Sequence, residues 1–432
     1  MTRSDPWPDS VLRLAMWLYA ALWWVFLPFG LLYLRHRARR DPLYFQHLGE
    51  RFGRHAAPIK GAVWVHAVSL GEMRSATPLV RALLAQGDTV VTTHFTPAGL
   101  REAKREFADD IAAGRVQSVW VPLEFRFAYN RFLRAFQPRL GLVMEIEVWP
   151  MMIARARALG VPLYMCNGQY PHKSFEKDLR GLGLRARLFA GFAGGFIKSR
   201  LMADRLRLVG MRDIAITGEL RFDQPVPQWQ LDAATQARPL LAKTREVITL
   251  TSVVEGEDAI YIETIKSAPE PLYIYVPRAP ERFDEVAQMM TDAGLRVARR
   301  SDVLDPQLKL TRLSDIDVLL GDSMGEMYFY LALCDRAVVG GGFVPKGAHN
   351  IIEPLALRKP VLVGPHIWTI TYPANEAISA GVCKKLDTRE QLLRAITQTS
   401  TVTTMQIEAF FAEHAGGVVR TLAAINDRHP RP

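Results

Sequence analysis

Four stretches of this chain combine chemically useful residue types with spacings that would let them act. The first is Ser69-Leu70-Gly71-Glu72, which puts a carboxylate at the start of an expected helix. The helix dipole favours the charged form of such a group, so Glu72 is expected to stay ionised. It could serve as a general base. It could equally be a plain helix-start charge. The second stretch is Glu145-Ile146-Glu147 with Trp149-Pro150, two carboxylates directly after an apolar run and expected to face a cleft. The third is NGQYPHKS, residues 167–174, which opens with Asn167. Lys173, Lys177, Arg180, Arg185 and Arg187 lie in it or follow it. They could meet an anionic acceptor or form a solvated helix face. The fourth is VVGGGFVPKGAHNIIEPLALRKPVLVGP, residues 338–365. Gly340, Gly341 and Gly342 follow a strand there, where glycine would let backbone approach a ligand closely. A helix start near His349 and Asn350 would aim N–H groups at the loop, which suits a phosphate. Three successive glycines are not a strict dinucleotide fingerprint, so an ordinary tight turn remains open.

These stretches need elements to position them. Short apolar runs at 62–67, 89–93, 118–122, 140–144, 162–166, 195–197 and 214–217 alternate with helical patterns. A second series follows at 247–251, 272–276, 295–298, 318–320, 336–339 and 361–363. Alternation of this kind implies parallel sheets covered by helices on both faces, with ligands at the carboxyl ends of the strands. The organisation expected is a first doubly wound domain over 41–223, a Pro-containing linker over 224–240 and a second doubly wound domain over 241–404. A C-terminal helix over 405–432 is expected to pack back on the body. Polar residues also gather at strand ends of the second series: Ser252, Glu255 and Glu257; Arg278; and Asp322 to Met327, with Met324, Gly325 and Glu326. Arg278 is a fixed cation suited to carboxylate or phosphate. Glu353, one turn into its helix, could accept from ribose hydroxyls. Two such domains suggest a ligand held in a cleft between them.

The chain has 432 residues, 49% apolar and 23% charged, which is globular and excludes a disordered chain. Its net charge is +10, which favours anionic partners. Cys166, Cys334 and Cys383 are too far apart for a zinc pattern or a disulfide framework, which fits a reducing compartment. Residues 14–34 carry no charge. At about 1.5 Å per residue they match one bilayer core. Trp17, Trp23, Trp24 and Tyr33 suit the interfaces, and the basic run Arg35, Arg37, Arg39 and Arg40 puts the following chain in the cytoplasm. Residues 1–40 are therefore expected to form a membrane anchor, preferably a spanning one. Pro28 and Gly30 leave open a helix that lies in the interface.

Several segments resemble one family. VWVHAVSLGE (63–72), TTHFTPAG (92–99), MEIEVWP (144–150), TGELRFDQP (217–225), VPRAPERF (276–283), GDSMGEM (321–327) and GGGFVPKGAHNIIEP (340–354) are similar to the bacterial 3-deoxy-D-manno-octulosonic acid (Kdo) transferases of lipopolysaccharide synthesis. The resemblance implies an α/β glycosyltransferase of the GT-B type, with two Rossmann-like domains facing a cleft. It implies an inverting reaction without metal or cofactor, because the CMP-sugar is a substrate. The partners implied are a nucleotide-sugar donor, an anionic glycolipid acceptor (the lipid A precursor) and the inner membrane, with no nucleic acid. By position Glu72 is the general base. Ser69, Gly71, Glu145, Glu147 and Asn167 fall on the acceptor side. Ser252, Glu255, Arg278, Met324, Gly325, Glu326, Gly341, Gly342, His349, Asn350 and Glu353 fall on the donor side. Arg278 would face the donor's charge, and Glu353 its ribose.

The chain departs from that pattern at named places. The family has His at the positions of Val254 and Ala279, Gly at Ala348, Arg at Gln169, and Asn and Lys at Glu219 and Arg221. Val254 and Ala279 lose side-chain hydrogen bonds that a histidine could make. Ala348 puts a methyl group where backbone is expected to meet the phosphate. A paralogous GT-B transferase using another activated sugar on an envelope glycolipid is the alternative, and a non-catalytic recruiting protein is a third reading.

Overall fold

The computed structural model describes residues 7–312 and 315–430. Residues 1–6 of the expected anchor and 431–432 of the expected C-terminal helix lie outside the described residues. The chain forms two compact units, one of residues 1–224 and 415–432, the other of 225–414.

The first unit opens with helix α1 (Ser10–Arg37), started by the Asp9 side chain, which accepts from Leu12 N. Seven strands follow: β1 (Val63–His66), β2 (Val90–His94), β3 (Val116–Trp120), β4 (Leu140–Met144), β5 (Leu163–Gly168), β6 (Gly194–Ile197) and β7 (Ile214–Ile216). They pair in the order β3-β2-β1-β4-β5-β6-β7, and every pairing is parallel. All four residues of β1 are buried, which is why it reads as an unbroken apolar run. Helix α2 (Leu70–Ala85) crosses from β1 to β2, with Met73, Ala76, Leu79, Val80 and Leu83 buried at helical spacing. Helices α3 (Arg126–Phe136) and α4 (Pro150–Ala158) bury Phe132, Met152 and Ile153 in the core of the same unit.

The second unit repeats the plan. Residues 224–240, expected as linker, hold helix α5 (Gln228–Leu241). Its Ala234, Ala237 and Leu241 lie three and four residues apart and are buried, a narrow stripe masked in the sequence by the polar residues around it. Strands β8 (Val247–Val253), β9 (Leu272–Pro277), β10 (Val297–Arg299), β11 (Val318–Leu320), β12 (Arg336–Val339), β13 (Val361–Val363) and β14 (Cys383–Lys385) pair in the order β10-β11-β9-β8-β12-β13-β14, all parallel. Strand β14 is not expected from the sequence. It is an edge strand whose Lys384 and Lys385 are exposed. Helix α6 (Asp258–Ser267) follows β8, and the short α7 (Ile352–Ala356) follows β12.

The single C-terminal helix expected over 405–432 is two helices. Helix α8 (Thr404–His414) belongs to the second unit, and α9 (Gly417–Arg428) belongs to the first. Gly416, at φ +83°, breaks the helix. The Asp223 carboxylate then accepts from Gly416 N and Val418 N, both at 2.6 Å, and starts α9. Val418, Leu422 and Ile425 pack into the core of the first unit.

Candidate functional site

Each sheet has a central place where its strand order reverses, although in the second β11 also lies between β9 and β10, and ligands of doubly wound sheets bind at the central reversal. In the first unit the reversal falls between β1 and β4. The segments leaving those strands carry Ser69 to Glu72 and Glu145 to Glu147.

Ser69 is the N-cap of α2, and its Oγ accepts from Glu72 N at 3.3 Å. The Glu72 carboxylate reaches back, accepting from Val68 N at 2.7 Å and from Ser69 Oγ at 3.2 Å. This is a capping box, so the helix itself holds the carboxylate in one orientation. The neighbouring TTHFTPAG segment locks the same turn. Thr96 Oγ1 donates to the Val68 carbonyl at 3.0 Å, and a Cβ on Gly99 would come within 3.1 Å of the Ser69 carbonyl carbon. Gly71 is exposed, and a Cβ there would meet nothing within 4 Å, so space lies beside Glu72.

The expectation that Glu72 stays ionised is not met. Burial pushes its pKa up to about 7, and the charges of Glu147 and Glu145 add to this against the bonds from Val68 and Ser69. Desolvation and two neighbouring acids outweigh the helix start. A carboxyl poised near neutrality is suited to taking a proton at cellular pH.

The two carboxylates after β4 have different fates. Glu147 is half-buried and accepts from Trp149 Nε1 at 2.5 Å. The Trp149 ring stands edge-on to His66 and Phe95, at 5.4 and 5.8 Å, and makes an aromatic wall. Glu145 does not face a cleft as expected. It is 5% exposed with φ +58°, and Lys198 Nζ sits 2.6 Å from its Oε2. The same Nζ lies 2.7 Å from Glu219 Oε2, and Asn167 Nδ2 donates to both carboxylates at 3.0 and 2.8 Å. Asn167 is therefore a buried strut, fully covered, and offers no contact to an acceptor. Burial would raise Glu219, but the charges of Lys198 and Arg221 hold its carboxyl well below the usual range. The departure at Glu219 thus has its matching cation in Lys198. Sequence reasoning missed Lys198, although a lysine ending the apolar run of β6 was the signal.

In the second unit the reversal falls between β8 and β12. Glu257, fully buried, organises this edge. Its carboxylate accepts from Gly341 N at 2.7 Å, Phe343 N at 2.9 Å and Val254 N at 3.2 Å. The glycines have a structural reason of their own. A Cβ on Gly340 would lie 2.7 Å from the Ser252 carbonyl oxygen, one on Gly341 2.3 Å from the Gly347 carbonyl oxygen, and one on Gly342 2.8 Å from Gly364 N. Backbone crowding between β8, β12 and β13 requires them. Two of the N–H groups before the helix start are already used within the loop. Helix α7 is five residues long, Ala348 N donates to the His366 carbonyl and His349 N to the Gly340 carbonyl. Asn350 Oδ1 accepts from Ile352 N at 2.9 Å. Ala348 is buried with its methyl group in the core, and the positive φ of +92° belongs to Gly347. The substitution at 348 therefore obstructs nothing at this edge.

The other donor-side candidates divide. Glu326 is held by Arg300 through two bonds of 2.7 Å. Glu255 is exposed and paired with Lys346 at 3.3 Å. Gly325, at φ +85°, shapes the turn, and its carbonyl accepts from Gln230. Met324 is 61% exposed. Ser252, at φ +51°, packs under Gly340. Glu353 lies in the first turn of α7. Arg278 is exposed at the end of β9, its N–H bonded to the Val253 carbonyl. Close by, burial lowers His349 to about 4, with the Arg278 charge adding to the effect, so this imidazole is neutral at pH 7.

Residues 46–224 match the family model described as 3-deoxy-D-manno-octulosonic-acid transferase (kdotransferase). The 3-deoxy-D-manno-octulosonic acid transferase of Bordetella pertussis is 40% identical over 417 residues, covering 92% of this chain and 95% of that protein. The same-named protein of Haemophilus influenzae is 29% identical, covering 88% and 90%. A glycosyltransferase from Rickettsia africae superposes with a TM-score of 0.57 at 11% identity, covering 87% of this chain and all of that one. The architecture is GT-B.

Proposed function

Because the chain belongs to the 3-deoxy-D-manno-octulosonic acid transferase family, and is a glycosyltransferase, we propose that it moves Kdo from CMP-Kdo to a lipid A precursor in lipopolysaccharide synthesis. The observation that carries the mechanism is Glu72, held by its own capping box and poised near neutral pH. In its ionised form Glu72 takes the proton of the acceptor hydroxyl. That oxygen attacks the anomeric carbon, the bond to the phosphate oxygen breaks, and CMP leaves with the configuration inverted. No metal or cofactor takes part. Glu147 and the half-buried rings of Phe95 and Trp149 border the acceptor. Arg278, with the neutral His349 beside it, meets the phosphate of the donor, and Asn350 and Glu353 lie toward the nucleoside. Gly341 and Gly342 shape that loop. Helix α1, the one described helix apolar and long enough for a membrane, holds the enzyme at the bacterial inner membrane with both units in the cytoplasm.

Incubation with CMP-Kdo and lipid A precursor tests this. Release of CMP together with a Kdo-bearing lipid is expected. A folded sample that yields neither refutes the substrate assignment. Turnover that disappears on chelation and returns with a divalent ion refutes metal independence.

A further inference from the structure

Helix α1 is not free of the unit it precedes. Leu12 and Met16 are buried in the core of the first unit, with Ala20 packed against it. Trp23 and Leu27 pack on Leu123, Phe125 and Ala128. Leu34, two turns further on, is 5% exposed. These positions follow one another at helical spacing, so one face of α1 is docked along most of its length. Polar contacts fix both flanks. Trp7 Nε1 donates to the Arg187 carbonyl at 3.0 Å, Asp9 pairs with Arg187, and an Arg37 Nη donates to the Tyr44 hydroxyl at 2.7 Å. The opposite face is apolar and open, with Trp17 69%, Val25 62%, Phe26 57% and Phe29 64% exposed. A helix docked in this way cannot cross a bilayer without drawing the polar surface of its own unit into hydrocarbon, where unsatisfied polar groups are costly.

Beside α1 stands a face of unmatched cations. Arg126, Asn130 and Arg134 of α3 are four residues apart and share one side of that helix. Arg155 of α4 donates to Asn130 Oδ1 at 2.7 Å. Burial and then the charges of Arg126 and Arg134 lower its pKa, so the three guanidiniums feel one another. Among the described residues none of the three forms an ion pair with a carboxylate. Between α1 and α3 lies a cavity of about 260 Å³. Ala20, Trp24 and Phe127 make its apolar side, and Arg126 and Asn130 make its polar side. Glu124 at its floor is 1% exposed, and its oxygens accept from Met151 N and Met152 N at 2.8 and 3.2 Å. That carboxyl is committed to the start of α4.

We propose that α1 lies in the plane of the membrane instead of crossing it, and that the groove between α1 and α3 seats the phosphate headgroup of an anionic phospholipid. The apolar outer face enters the acyl region. Arg126, Arg134 and Arg155 meet the headgroups. This rests on α1 being the membrane segment of the proposed transferase.

All three cysteines are buried, so Ser10→Cys places a single reactive thiol at the start of α1. In spheroplasts of a Gram-negative host, a membrane-impermeant maleimide is expected to miss this thiol until the cells are lysed. Labelling of intact spheroplasts to the level of a periplasmic control overturns the in-plane placement. The full chain is then titrated with phosphatidylethanolamine–phosphatidylglycerol vesicles. Arg126→Gln/Arg134→Gln is expected to weaken binding about tenfold or more with an unchanged melting temperature, and to match wild type on phosphatidylcholine vesicles. Undiminished binding to the anionic vesicles overturns the groove. Wild type that binds neither vesicle refutes the anchor reading itself, a result separate from both.

Discussion

Lys198 Nζ and Glu219 Oε2 lie 2.7 Å apart, with each side chain 3% exposed. The same lysine holds Glu145, and Arg221 adds a second cation 3.5 Å from Glu145. Arg221 Nε donates to Ser75 Oγ at 2.7 Å, and Ser75 Oγ donates to the Gly71 carbonyl at 3.0 Å. This chain of bonds ends on the helical turn that presents Glu72. A buried charge network therefore supports the candidate base from behind.

Removing one member of that network leaves a buried charge uncompensated. Lys198→Met is expected to destabilise the protein by about 3–5 kcal/mol in urea unfolding. The double variant Lys198→Gln/Glu219→Gln removes one charge of each sign and keeps hydrogen-bonding groups, so it should recover most of that loss. A single variant as stable as wild type would show that the pair contributes nothing.

Glu72 should reveal itself by pH as well as by rate. Glu72→Gln is expected to lower kcat by about 10²–10⁴, the usual range for a lost general base. In wild type, kcat/KM should rise with pH through about 7, as the carboxyl loses its proton. The effect on stability has a definite sign. Between the ordinary carboxyl value of 4.5 and about 7 the folded state binds more protons than the unfolded one, so stability falls as pH rises. Glu72→Gln removes that loss, and its melting temperature should exceed that of wild type at pH 8 but not at pH 4. An unchanged pH–rate profile would remove Glu72 from the proton transfer.

The sequence reading placed most strands within two residues, because strands buried on both faces, such as 140–144 and 336–339, read as unbroken apolar runs. It missed β14, where Lys384 and Lys385 break such a run at an exposed edge. The position of Glu72 was legible from its place at an expected helix start, whereas its proton affinity was not. That property depends on Glu147 and Glu145, brought alongside by the pairing of β1 with β4. Glycines 340–342 were legible as a special backbone, but their cause was not. The backbone they must clear comes from Ser252, Gly347 and Gly364, which only the sheet brings together.

Glu257 should behave as the strut of that loop. Glu257→Gln replaces one accepting oxygen by an NH₂ that cannot accept from Gly341 N or Phe343 N. One buried N–H then loses its partner, at a cost of about 1–3 kcal/mol. Thermal unfolding should register this loss, and KM for the donor should rise more than kcat falls. Gly341→Ala should cost at least as much, since φ is +85° and its Cβ would meet the Gly347 carbonyl oxygen. A Glu257→Gln enzyme with wild-type stability and donor KM would mean that the loop holds its shape without the carboxylate.

Arg278 and His349 form the last testable pair. The Arg278 side chain is exposed, so Arg278→Ala should leave the melting temperature unchanged. If Arg278 meets the donor phosphate, calorimetry should show CMP affinity falling about tenfold or more, and Arg278→Lys should restore it only in part, because an ammonium cannot make the paired bonds of a guanidinium. His349 provides an independent readout. Its pKa of about 4 reflects burial first and the Arg278 charge second, so NMR titration of Arg278→Ala should find it raised but still below 6.5. Unchanged CMP binding together with an unshifted His349 would separate Arg278 from both the donor and the imidazole.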